Sequence, residues 1–386
     1  MKKIELSASD RPRILIRGAN WVGDAIMTTP VVRAVKKNFP QGHVTMLVKP
    51  WVVPVFQNNP YVDEVLIYDD KGRHTKGWGT IRLARDLRQH KFDLAVLMQN
   101  AFEAALISWL AGIPQRLGYD TDARGLLLNP CIALDPNLKK VHLIDYYRGI
   151  LRGTGIVDDG RTLDLFIDQG ARAEADKILQ NHGLIQEKDR DNDDTTALSH
   201  EGFHTPFHGF ARSNPIIAIN PGATGGTAKR WFSERFAALA KRLSDRFKVK
   251  VLILGGPGDH GLGQEISAMS GECCINLAGL TTLSTAFALI DRCSLFITND
   301  SGLMHAAAAL GVNQVAIIGS TNPVTTPPSN TNSKVVRIPV PCSPCMKPEC
   351  RYDHHECMDK ISVDMVYGAA IGMDRDITMD REGWFA

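Results

Sequence analysis

The chain has no long apolar run. The longest, Ala104–Ile113, covers ten of its 386 residues. That length suits a buried helix and falls short of the ~20 residues needed to cross a bilayer. No apolar signal-peptide core follows the polar stretch from Met1 to Asp10, so a cytoplasmic location is expected, with room for peripheral contact at a membrane surface. Charge of one sign is also lacking: 44 basic residues against 42 acidic ones leave a net charge of +2. Such a balance exerts no broad pull on nucleic acid, and any anionic substrate must be met by local basic clusters. Three ligand signatures are missing as well. There is no G-x-G-x-x-G dinucleotide fingerprint, which argues against a nicotinamide dehydrogenase. The glycine turn at 18–24 has no P-loop lysine, and no Asp-x-Asp pair is placed to hold magnesium at a phosphate.

What is present is an alternation of strand and helix. Arg13–Arg17, His43–Val48, Val65–Tyr68 and Leu94–Met98 read as strands. Asp24–Asn38, Thr80–Gln89 and Phe102–Leu110 read as helices, the first interrupted or bent at Pro30. Residues 186–214 are polar, rich in Asp and His, and aperiodic, which predicts a linker. The alternation then restarts, with strands at Ile216–Asn220, Val249–Leu254, Leu295–Thr298 and Gln314–Ile318 and helices at Ser233–Arg246, Leu283–Asp291 and Gly302–Leu310. The predicted fold class is α/β, with a Rossmann-like domain over 1–185, a linker over 186–214 and a second Rossmann-like domain over 215–386. In open α/β sheets ligands lie beyond the carboxyl ends of the strands, so chemistry is expected in the turns after Arg17, Met98, Ile219, Leu254 and Thr298.

The turn GANWVGD (18–24) has P-loop-like glycine spacing but places Asp24 where a phosphate site needs a cation. An ionised carboxylate there serves as a general base or as a helix cap, and the residues alone weigh the two equally. The turn PGATGGTAKRW (221–231) offers free backbone amides, the hydroxyls of Thr224 and Thr227, and the charges of Lys229 and Arg230, a pattern that suits phosphate. A flexible surface loop is the plain alternative. The turn TNDSGLMH (298–305) runs into a helix N-terminus, where Asp300 either holds sugar hydroxyls or caps the helix. His305 reads as structural. The turn GGPGDH (255–260) carries Asp259, suited to a ribose diol but equally to a simple turn. Four of the eight cysteines, Cys342, Cys345, Cys350 and Cys357, lie within sixteen residues. A four-thiolate structural metal, reduced packing cysteines and a labile disulfide are all open there. The segment stands apart in sequence from the other turns, so its loss is expected to lower thermal stability and leave turnover nearly intact.

These turns together resemble glycosyltransferase family 9. The resemblance rests on Trp21 to Asp24, Pro221 to Ala223 with Ala228 to Trp231, Asn276 to Gly279, and Thr298 to His305. Weaker matches lie at Asn100 with Phe102, at Gly112 to Pro114, at Gly118-Tyr119 and at Arg124 to Leu127. It implies a glycosyltransferase B fold with the active site in the inter-domain cleft. The implied donor is ADP-L-glycero-β-D-manno-heptose and the implied acceptor is the first heptose of the lipopolysaccharide inner core at the inner membrane surface. Transfer proceeds with inversion. With that donor, Lys229, the glycine-loop amides and the helix opening at Gly302 already supply positive potential for the leaving ADP, so no cofactor is expected to be required. By the same resemblance Asp24 is the base, and Thr224, Gly225 and Lys229 hold the pyrophosphate. Asp300 binds heptose hydroxyls, Ser301, Gly302 and Leu303 line the phosphates, and Gly279 and Leu280 face adenine. Asn100, Glu103 and Arg124 belong to the acceptor side.

Two positions depart from the family pattern. Glu103 stands where members commonly have a lysine that meets the anionic acceptor, which leaves either a less phosphorylated acceptor or another cation such as Arg124. Gly261 stands where some members place a ribose-binding Glu, which leaves Asp259 and Glu265 as candidates. A transferase of the same fold with another donor sugar, and a non-catalytic nucleotide-binding envelope protein, are the competing readings. A metal-cluster redox protein would leave the first and third turns unexplained.

Overall fold

The computed structural model describes residue 4 and residues 11–186 and 215–373. The predicted linker therefore lies, from residue 187 on, outside the described residues. The chain divides into two compact units, one of Met1–Asp168 with Val324–Thr326 and one of Gln169–Pro323 with Pro327–Ala386.

The first unit holds β1 (Arg13–Arg17), β2 (His43–Val48), β3 (Glu64–Ile67), β4 (Leu94–Leu97), β5 (Gln115–Tyr119) and β6 (Cys131–Ile132). They form one sheet in the order β3-β2-β1-β4-β5-β6. Its helices are α1 (Val22–Met27), α2 (Thr29–Asn38), α3 (Val53–Phe56), α4 (Trp78–Gln89), α5 (Phe102–Leu110) and α6 (Leu143–Arg148). All the strand pairs are parallel, with Arg17 level with Leu47 on one side and Leu97 on the other. The near-continuous apolar runs of β1, β2 and β4 follow from that arrangement, because a parallel sheet is covered on both faces. Leu15, Leu47 and Leu97 pack with Leu83 and Leu87 of α4 and with Ala105 and Ile107 of α5. The expected helix 24–38 is two helices. Pro30 has no N–H to donate, and it falls in the first turn of α2, where none is needed.

The second unit repeats the plan. Its strands are β7 (Ile217–Asn220), β8 (Val251–Ile253), β9 (Cys274–Asn276), β10 (Leu295–Asn299), β11 (Gln314–Ile317) and β12 (Ser333–Val336). They lie in the order β12-β11-β10-β7-β8-β9 and pair in parallel. Counted from its own first strand, each sheet has the order 3-2-1-4-5-6 of the Rossmann fold. The helices are α7 (Gln169–Asn181), α8 (Ser233–Phe247), α9 (His260–Ser270), α10 (Leu283–Asp291), α11 (Gly302–Ala309), α12 (Glu356–Asp359) and α13 (Val363–Gly372). Ile219, Ile253, Ile297 and Val315 pack against Phe236 and Leu243 of α8 and against Met358, Ile361 and Val366 near the C-terminus.

The sequence reading closes the first domain at 185, whereas α7 groups with the second unit. Its Ala175 and Leu179 are buried, and Asp176 accepts from Arg292 Nε at 3.0 Å, fastening α7 to the end of α10. Among the described residues no helix is long and apolar enough to cross a membrane.

Candidate active site

In each sheet the strand order reverses beside the first strand, between β1 and β4 and between β7 and β10. The turns that follow those four strands carry most of the polar residues singled out above.

In the first unit β1 ends at Arg17 and Gly18 follows, where a Cβ would come within 2.8 Å of Val48 Cγ1, so glycine lets the chain pass β2. Arg17 fixes the turn, its Nη1 donating to the Gly18 carbonyl at 2.7 Å and its Nη2 to Asn20 Oδ1 at 3.0 Å. Asp24 lies in the first turn of α1, while the N-cap position belongs to Trp21 and no side chain caps the helix. The capping reading of Asp24 therefore does not describe this helix. Instead the Tyr147 hydroxyl of α6 donates to the Asp24 carboxylate. Burial, with that carboxylate beside it, drives the Tyr147 phenol well above its ordinary pKa. Tyr147 was not singled out from the sequence, because α6 is too short to show a period.

Around this turn lies a buried charged network. Tyr68 donates to Glu103 Oε1 at 2.7 Å, and Lys49 Nζ sits 3.7 Å from the centre of the Tyr68 ring and 2.7 Å from Asp70 Oδ2. Burial lowers the Arg17 guanidinium to about 10 and also lowers Lys49. Glu103, which departs from the lysine of the family pattern, thus serves as acceptor for a buried phenol. Arg124 is fully buried. Its guanidinium donates to the carbonyls of Tyr119 and Gln99 and, at 2.8 Å, to Asn100 Oδ1. Asn100 in turn donates to the Tyr146 hydroxyl. Arg124 and Asn100 are therefore brought together as one hydrogen-bonded unit.

In the second unit β7 opens into the glycine loop, where Gly225 and Gly226 take φ of +102° and +131°. Both values lie in the region open to glycine. The loop ends in a 3-10 turn, Thr227–Lys229, and Lys229 Nζ reaches Asp300 Oδ2 at 3.1 Å. Ser301 is the N-cap of α11, accepting from the Met304 amide, so its hydroxyl and the first amides of α11 stand beside Asp300. Two asparagines missed in the sequence tie these turns together. Asn220 Oδ1 accepts from Ser301 Oγ at 2.9 Å and Thr298 Oγ1 at 3.1 Å. Asn299 accepts from the Trp231 amide at 3.1 Å and donates to the Pro221 carbonyl at 2.7 Å. His305 is buried within α11.

The turns after β8 and β9 meet alongside. The Gly279 amide donates to the Gly255 carbonyl at 3.0 Å, and a Cβ on Gly279 would lie 2.9 Å from Pro257 Cα. Leu280 beside it is exposed. Asp259 accepts from the Gly256 amide at 3.0 Å and lies 3.5 Å from Arg230 Nη2. Glu265 accepts from Ser233 Oγ at 2.7 Å.

The cysteine segment lies against the glycine loop, not apart from it. The Ala228 amide donates to the Pro348 carbonyl at 2.9 Å, and His355 Nε2 lies 3.2 Å from the Ala228 carbonyl. Cys342, Cys345, Cys350 and Cys357 line one small cavity together with Ala228 and His355. All eight cysteines are free thiols. Burial, together with the other three thiols, pushes Cys357 up to about 11. No group of three or more His, Cys, Asp or Glu among the described residues is arranged to hold a metal ion, so the four-thiolate metal site has no support in the geometry.

The model of glycosyltransferase family 9 (heptosyltransferase) matches residues 80–356. Lipopolysaccharide heptosyltransferase 2 of Salmonella typhimurium is 30% identical over 92% of this chain and 96% of its own length. Among solved structures, that of Escherichia coli ADP-heptose lps heptosyltransferase II covers 94% of this chain and 98% of its own, at 28% identity and a TM-score of 0.74. A glycosyltransferase family 9 protein of Veillonella parvula covers 97% of this chain and 99% of its own, at 25% identity and a TM-score of 0.81. With a 3-2-1-4-5-6 sheet in each unit and a family match over most of its length, the chain belongs to glycosyltransferase family 9, the heptosyltransferases.

Proposed function

We propose that the protein is an inverting heptosyltransferase of lipopolysaccharide synthesis. It moves L-glycero-D-manno-heptose from ADP-heptose to the first heptose of the inner core. The observation that carries this reading is the junction of the β7 and β10 turns, where Lys229 and Asp300 stand 3.1 Å apart beside the α11 N-terminus in a chain of this family. One side chain suits a diphosphate and the other suits sugar hydroxyls, so the pair matches the two halves of a nucleotide-sugar.

In this mechanism the acceptor hydroxyl attacks the anomeric carbon of the donor from the face opposite the diphosphate. The bond from that carbon to ADP breaks and its electron pair leaves on the diphosphate. Asp24 takes the proton from the attacking hydroxyl. Lys229, the backbone at Thr224 and Gly225, and the α11 N-terminus at Ser301, Gly302 and Leu303 stabilise the charge that develops on ADP. Asp300 holds heptose hydroxyls, and Gly279 and Leu280 face adenine. Asp259, fastened to the same turn as Gly279, is read as the ribose ligand. Asn100 and Glu103 meet the acceptor, with Arg124 holding Asn100 in place. No step calls for a divalent ion, and a metal on the four cysteines forms no part of the reaction. The enzyme works in the cytoplasm at the inner face of the inner membrane, where a lipid-anchored acceptor is presented.

The test is to incubate the pure protein with ADP-heptose and a core truncated after its first heptose, with EDTA present, and to follow product mass. A gain of one heptose is expected. No gain, or equal turnover with other nucleotide-sugars, would overturn the assignment.

A further inference from the structure

The positive charge that the chain as a whole lacks is concentrated in one stretch of the first unit. Between Lys71 and Arg88 stand six Lys or Arg residues and one acid, Asp86. This stretch is the later part of the loop after β3, past Asp69 and Asp70, and nearly all of α4; Asp70 is already paired with Lys49. The loop is pinned to the helix, since Arg73 Nη2 lies 2.7 Å from Asp86 Oδ2 and Arg82 Nη1 donates to the Arg73 carbonyl at 3.3 Å.

α4 turns Leu83, Ala84 and Leu87 into the core, which leaves the opposite stripe outward. Trp78 is 84% exposed and Ile81 is 51% exposed. Arg82 and Arg85 follow at three- and four-residue spacing, which places them on the same side of the helix. At the far end Arg88 Nη2 donates to the Leu110 carbonyl of α5 at 2.8 Å, beside the half-exposed Trp109. On the loop side Lys71 Nζ lies 5.7 Å from the centre of the exposed Trp51 ring. The result is a surface of the first unit on which exposed indoles lie among basic side chains.

Large aromatic side chains left in water beside unbalanced cations match the chemistry of a phospholipid surface. Indole partitions to the headgroup layer, and guanidinium pairs with phosphate in a two-point contact. A neutral or apolar partner would leave the arginines unmatched. We propose that the outer face of α4 docks the first unit onto an anionic lipid bilayer, with Trp78 and Ile81 entering the headgroup layer and Arg82 and Arg85 meeting lipid phosphates. At twelve residues the helix lies along the surface rather than across the membrane. Docking itself does not depend on the catalytic reading; its kinetic consequence rests on the proposed lipid-anchored acceptor.

The experiment is co-sedimentation of the full-length protein with vesicles of phosphatidylcholine alone and of phosphatidylcholine mixed with phosphatidylglycerol. It is run at ~0.1 M and ~1 M salt, where the screening length falls from about 10 to 3 Å. The wild type should bind the mixed vesicles and should be largely released at the higher salt. Trp78→Ala/Ile81→Ala and Arg82→Glu/Arg85→Glu should each weaken binding about tenfold or more. Both variants should keep the wild-type melting temperature and the wild-type kcat/KM on a delipidated acceptor, while KM for a vesicle-embedded acceptor rises. Equal binding to neutral and anionic vesicles, or unaltered binding by both variants, would overturn the proposal. So would a concentration-dependent dimer abolished by Trp78→Ala, since the face would then belong to a second copy. If the wild type docks but no acceptor gains heptose, the catalytic reading fails and the docking surface stands.

Discussion

Lys229 and Asp300 are ion-paired at 3.1 Å across the β7 and β10 turns. On the proposed roles the phosphate residue and the sugar residue hold each other, so donor binding is expected to exchange one partner for another. Lys229→Ala should weaken ADP by ~1.5–3 kcal/mol, the range of a charge-assisted hydrogen bond, or roughly ten- to a hundredfold. Asp300→Asn should behave differently. ADP affinity should hold or improve, because Lys229 loses its competing partner, while ADP-heptose affinity falls. Calorimetry on both ligands decides the matter, and equal losses of ADP affinity in the two variants would refute the division of labour.

Asp24 and Tyr147 give a second test. Asp24→Asn should keep the fold and donor affinity and lose about 10²–10⁴-fold in kcat. Tyr147→Phe removes only the hydroxyl that donates to Asp24. A carboxylate deprived of a donor becomes more basic, so the acid limb of the kcat/KM profile should move to higher pH. The fall in kcat should be smaller than for Asp24→Asn, with little change in acceptor KM. An unmoved acid limb would remove Tyr147 from the account, and wild-type kcat in Asp24→Asn would remove the base.

The cysteine segment should affect the donor rather than the acceptor. A Cβ on Gly226 would lie 2.0 Å from the Pro348 carbonyl oxygen, so Gly226→Ala must displace the loop from its backing. KM for ADP-heptose should rise while acceptor KM stays. Cys342→Ser/Cys345→Ser should lower the melting temperature and also raise donor KM, because both residues line the cavity that Ala228 closes. Unchanged donor KM in both variants would show that the backing is not needed.

Acid stability provides a fourth check. The hydrogen bond from Lys49 holds the Asp70 carboxyl below its ordinary pKa. A carboxyl with a lower pKa in the folded state contributes stability above its unfolded value, ~3.9, and loses it as pH falls through the folded value. Asp70→Asn should therefore lower the melting temperature at pH 6 and converge with the wild type near pH 2–3. A constant gap across that range would exclude the linkage.

The sequence carried the frame of the fold well wherever an element buries its own apolar face. The predicted spans of α5 and α10 agree with the structure end to end. β5 (QRLGY) and β12 (SKVV) escaped notice because their place is set by pairing with β4 and β11, not by a pattern of their own. The turns were legible because glycines and acids follow strands there. Their fastenings were not: Asn220 and Asn299 sit at or beside strand ends, and nothing local shows which carbonyl or hydroxyl each will meet. The position of the cysteine segment against Ala228 was also invisible, since more than a hundred residues separate them.

Arg124 has a bearing on how mutational surveys of this protein are scored. With its guanidinium fully buried and occupied by two carbonyls and Asn100, truncation leaves acceptors in the interior without a donor and releases Asn100. A screen that reads only colony phenotype or sugar incorporation would rank Arg124 beside Asp24 and Lys229, although it offers no exposed surface. Soluble yield and melting behaviour measured alongside activity separate the two kinds of loss, and an inhibitor campaign guided by the activity score alone would aim at a side chain with no surface open to solvent.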